Sequence, residues 1–88
     1  MREIRYSIEF QECVEALGGQ RAVDLALDTI LDGVYRNPFG FEYVENDWCR
    51  IRYAITRQID DIPPLCVWFI IDSKNNVEFV YAEEHFSY

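Results

Sequence analysis

Two arginines spaced two apart, Arg50 and Arg52, lie inside the alternating run Trp48–Thr56. On a strand, that spacing projects both guanidinium groups from one face, where they could grip a phosphate. The same arginines could equally pair with carboxylates across a sheet, and Glu42, Glu45 and Glu78 are available for this. His85 follows Glu83 and Glu84, the arrangement of a base and its orienting carboxylate or of a surface histidine near the chain end. Trp48, Trp68 and tyrosines including Tyr88 could stack on bases. Trp68, flanked by apolar residues, reads instead as a core filler, and Phe86 and Tyr88 as anchors of the C-terminus. The chain has no Gly-rich phosphate loop and no nucleophile elbow. No residue is assigned a catalytic role.

Asp24, Asp28 and Asp32 recur every four residues and so stack along one face of a helix. They form either a solvated acidic ridge or a docking surface for a basic partner. A metal site is the weakest reading, because divalent ions need ligands that converge from several elements. Cys13, Cys49 and Cys66 are odd in number, widely spaced and without a C-x-x-C pair, which predicts free, mostly buried thiols, no structural zinc and a reducing compartment. No cofactor is implied.

Sixteen acidic against eight basic residues give a formal charge of −8. Such a field repels phosphate backbones, disfavours nucleic acid as a sole direct partner, and favours a basic protein segment. No signal-length apolar stretch follows Met1–Arg5, and the longest apolar run, 65–71, is far short of the ~20 residues that span a bilayer. The expected location is the cytoplasm, without membrane association.

The elements that must position these residues follow from periodicity. Residues 3–10 alternate, with Ile4, Tyr6, Ile8 and Phe10 on one side, and predict a strand followed by a short helix. A competing pattern starts the helix near Ser7, with Ile8, Cys13, Val14 and Leu17 as its stripe. Gly18-Gly19 stops it. Gln20–Arg36 predicts a helix with Val23, Leu27, Ile30, Leu31 and Val34 as its stripe, ended at Asn37-Pro38. A short edge strand over 41–44, a strand over 48–56, a loop over 58–64, a central strand over 65–71 and a closing strand over 77–81 complete the chain. Residues 1–88 are thus expected to form one α+β domain, an N-terminal strand and two helices followed by a three- to four-stranded antiparallel meander, with the helices on one face.

This order of elements resembles the RelE/ParE superfamily of bacterial toxins. Asn37-Pro38 looks like that family's turn, Trp48-Cys49-Arg50-Ile51-Arg52 like its strand with alternating basic residues, and 65–72 and 77–82 like its last two strands. The resemblance implies a toxin–antitoxin setting, with an antitoxin and either the ribosome or gyrase as partners. In the mRNA-cleaving branch, strand Lys/Arg residues orient phosphate and stabilise the developing charge. This chain departs from that branch where Leu65 stands in place of arginine, and where Ala82-Glu83-Glu84-His85 replaces a glycine and basic residues. The expected function is therefore macromolecular binding on a toxin-like scaffold, with ribonuclease activity lost or weak. The alternatives are a stand-alone homodimeric interaction domain, using the acidic ridge or an exposed strand, and a ribosome-dependent mRNA endonuclease.

Overall fold

Ser7 decides where the N-terminal strand stops. The computed structural model describes residues 3–45, 47–59 and 62–85. In it β1 covers only Ile4–Tyr6, and α1 begins at once as Ile8–Ala16. Ser7 is extended, and its Oγ accepts the Phe10 N–H at 3.0 Å while its hydroxyl donates to the Val80 carbonyl at 3.3 Å. The strand expected to reach Phe10 is thus corrected, and the helix starts where the competing pattern placed it. Alternation cannot separate a strand from a first helical turn, but burial can. Ile8 is 72% exposed, whereas Phe10 and Val14, four apart, are buried.

Gly18 and Gly19, at φ of 113° and 95°, reverse the chain after α1, with the Gly19 N–H donating to the Val14 carbonyl. L-residues with a Cβ avoid this backbone region. Helix α2 then runs Gln20–Arg36, burying Val23, Ala26, Leu27, Ile30 and Val34. A 3₁₀ turn at Pro38–Gly40 leads into the sheet.

Four strands follow: β2 Tyr43–Glu45, β3 Arg50–Ile55, β4 Leu65–Ile71 and β5 Val77–Glu84. The sheet order is β1-β5-β4-β3-β2. β2 to β5 form the expected antiparallel meander, but β1 adds a fifth strand parallel to β5, with Ile4 opposite Val77 and Tyr6 opposite Phe79. The sheet is therefore mixed. A parallel neighbour needs a long crossover, and the two helices lie in the connection that leaves β1. A register shift at Trp68/Phe69 pairs Trp68 with Tyr81 and Phe69 with Phe79, leaving Val80 as the extra residue.

The helix-facing core joins Phe10, Val14, Val23, Leu27 and Val34 to Leu65, Val67, Phe69, Val77 and Phe79. Burying each such side chain contributes roughly 1.5–3 kcal/mol. Because 65, 67 and 69 face the helices, 66, 68 and 70 point the other way. Trp68, expected in the core, is instead half-buried on the helix-free face, its ring 4.9 Å from that of Tyr53. Of the cysteines, Cys66 is buried, Cys13 half-buried and Cys49 exposed. Burial pushes the Cys66 thiol pKa up, and neighbouring Glu83 adds to the shift. Among the described residues no helix is long and apolar enough to cross a membrane.

Candidate functional site

Strand parity puts Arg52 on the same side of β3 as Ala54 and Thr56, facing the helical layer. It is 6% exposed. Its Nη1 donates to the carbonyls of Phe39 at 3.1 Å and Phe41 at 2.8 Å, so the side chain ties the 3₁₀ turn to the sheet. The guanidinium carbon lies 4.9 Å from the centroid of the Tyr43 ring and 5.5 Å from that of Phe39. Carbonyl dipoles and ring faces thus compensate this buried cation.

Arg50 shares that side of the strand but is exposed. Its Nε and Nη2 donate to Glu45 Oε2 at 3.1 and 2.9 Å, and its guanidinium carbon sits 4.3 Å from the Tyr43 ring centroid. The pair expected to project together does so. One member, however, is committed to backbone carbonyls and the other to a glutamate.

The two arginines line an open cleft of about 390 Å³ with Phe39, Glu45, Asp47, Trp48, Cys49, Ile71 and Asp72. The β2–β3 turn supplies Asp47, Trp48 and Cys49, and the end of β4 supplies Ile71 and Asp72. Trp48 is 91% exposed and Phe39 50%. Asp72 Oδ1 accepts the backbone N–H groups of Lys74 and Asn76, and its Oδ2 accepts Arg5 Nη2 at 2.9 Å. The Asn76 N–H, then that of Lys74 and the Arg5 charge, hold the Asp72 carboxyl below its ordinary pKa. Two of the three carboxylates, Glu45 and Asp72, are thus already paired with Arg50 and Arg5, beside the exposed rings of Phe39 and Trp48.

The remaining candidates lie elsewhere. The His85 backbone N–H donates to Pro64, at the Leu65 end of β4, whereas Arg50 sits level with its Ile71 end. Six strand steps, about 20 Å, separate them, so His85 joins no constellation with the arginines. Tyr88 lies outside the described residues. Asp24, Asp28 and Asp32 are all exposed on α2. Asp24 accepts from Gln20 Nε2 at 2.9 Å, and Asp32 pairs with Arg36 at 3.2 Å. Burial, and then the charges of Asp24 and Asp28, raise the Tyr6 pKa. Among the described residues no three His, Cys, Asp or Glu side chains converge as metal ligands.

The contributions of Phe39, Asp47 and Asp72 to the cleft went unread in the sequence. Asp72 begins the Asp-Ser-Lys-Asn-Asn turn, a composition that marks a turn, but nothing local aims it at residue 50. Comparison with protein-family models, with curated proteins and with solved structures finds no match to this chain.

Proposed function

We propose that this protein acts by binding a macromolecular partner, as a RelE/ParE-like scaffold whose phosphodiester-cleaving capacity is lost or weak. The observation that carries this reading is the commitment of Arg52 to the Phe39 and Phe41 carbonyls. A phosphate clamp needs both guanidinium groups with donors to spare, and here one is buried and the other holds Glu45. Glu45 and Asp72 are held by Arg50 and Arg5, so the cleft offers a partner Asp47 beside the exposed rings of Phe39 and Trp48. That favours a protein segment carrying a cationic and an apolar side chain, such as that of an antitoxin, over a phosphate. The likeness in element order and in the Arg50-Ile51-Arg52 strand supports the toxin–antitoxin setting.

Controlled expression in a bacterial host, scored for growth arrest, tests the proposal alongside a ribosome-dependent mRNA cleavage assay. The expected result is arrest without cleavage, relieved by Trp48→Ala with Asp47→Lys, two exposed changes in the cleft. Ribosome-dependent cleavage that disappears in Arg50→Ala would overturn it. So would the absence of arrest in every host tried.

A further inference from the structure

β4 is the central strand of five and reads Leu-Cys-Val-Trp-Phe-Ile-Ile, without a single charged residue. Antiparallel strands with one wet face alternate apolar and polar, whereas continuous apolar runs belong to strands covered on both faces. The helices cover only one face. Leu65, Val67 and Phe69 lie in the core they form, while Cys66, Trp68 and Ile70 project from the opposite side.

Strand register extends that second surface sideways. Val44 stands beside Ile51, with Ile70 next along β4; Tyr53, Trp68 and Tyr81 make a second row; Ile55 and Cys66 make a third. Val44, Ile55 and Tyr81 are 54%, 46% and 46% exposed. Among the described residues charge enters at the margins, as Glu78, Glu83 and Arg5 towards β5–β1 and as Glu42, level with Tyr53, beside β2. An apolar centre with a charged margin is the anatomy of a protein interface.

We infer that this face docks a second copy of the chain, sheet against sheet, in a two-fold dimer. Two properties favour a copy over another occupant. The first is size. Strands of three, three, six, seven and eight residues about 4.8 Å apart give a face of roughly 430 Å² in plan, so two such faces bring together roughly 860 Å² before side-chain relief is counted, close to the ~1,000 Å² that a specific interface needs. The second is charge. A basic partner is drawn to the acidic helical side, where Asp24, Asp28 and Asp32 are exposed, and an anionic lipid surface is repelled by a chain of −8. Packing the apolar centres of these faces together turns both acidic helical layers outward, as far apart as a dimer allows. A two-fold axis at the Trp68 row sets the aromatic rows against one another, as an isologous contact requires.

Sedimentation equilibrium on the full chain, from about 1 µM to about 1 mM, tests this. The wild type is expected to dimerise within that range. Ile55→Lys and Tyr81→Lys, each at a half-exposed position, are expected to raise the dimer Kd at least about tenfold with an unchanged far-UV circular dichroism spectrum. Asp28→Lys, on the helical side, is expected not to weaken it. If one lysine variant fails to fold, the other decides. A wild type that stays monomeric throughout, as a face reserved for a foreign partner would leave it, overturns the inference. A dimer that ignores both lysine variants does so too. The face stands apart from the Trp48–Asp47 cleft, so these variants and the growth-arrest variants fail independently.

Discussion

The two arginines show how little a residue's type says about its task. Arg50 and Arg52 differ by one strand repeat, yet one is exposed and the other is a buried strut. Removing Arg52 leaves two carbonyls without their donor and a space beneath the 3₁₀ turn, so Arg52→Ala should cost about 2–4 kcal/mol. Arg50→Ala should cost no more than about 1 kcal/mol, since its Glu45 pair is solvent-exposed. Urea denaturation of both variants checks the contrast, and equal losses would contradict the assignment. The sequence shows that 50 and 52 share a face. It does not show which is covered, because the cover comes from residues 39–41, more than ten positions upstream. Asp72 offers a second check. Its pKa is lowered in the fold, so its contribution is present above the unfolded value of ~3.9 and is lost as pH falls through the lower folded value. Asp72→Asn should therefore melt below wild type at neutral pH, and the gap should close in acid. A gap that persists well below pH ~3 would mean that the carboxylate charge is not its source.

At the scale of elements, legibility followed how decisively a pattern separates alternatives. Helix α2 was readable end to end, because seventeen residues with one apolar stripe fit no strand. The β1–α1 boundary was not readable, because Ile8 belongs both to the alternating run from Ile4 to Phe10 and to the helical stripe Ile8, Cys13, Val14 and Leu17, and only burial and the Ser7 cap resolve them. Ser7→Ala removes that cap and the bond to Val80, and should lower stability by about 1 kcal/mol, while Ser7→Asp should retain most of it. Thermal unfolding of the two variants separates a capping role from mere bulk. If both lose the same amount, the hydroxyl bond to Val80 dominates instead. The parallel β1–β5 pairing left no local trace either, since its partners stand more than seventy residues apart. β4 carried the opposite kind of signal. Its two-faced apolar sequence announced a central strand, and the structure places it there with helices on one face only; on the other, Cys66 is buried and Trp68 and Ile70 are half-buried.

For the whole molecule, the −8 charge and the apolar helix-free face together set how self-association responds to salt. In a face-to-face pair the centres lie roughly one molecular thickness apart, and the shortest dimension of the chain is 23 Å. Two charges of −8 at that distance repel by about 2 kcal/mol at ~0.05 M salt, and by almost nothing at ~0.5 M, where the Debye length is only ~4 Å. The apolar attraction between the faces is not screened and is slightly reinforced by excluded salts. Self-association should therefore tighten on the order of tenfold between those conditions, since 1.4 kcal/mol is a factor of ten. Binding of a basic partner at the acidic ridge or the Asp47–Asp72 cleft should run the other way and weaken with salt. Sedimentation of the chain alone across a salt series distinguishes the two. Tightening is the response of apolar surfaces meeting, whereas loosening would mean that complementary charges hold the copies together and that the acidic ridge or the cleft is the contact.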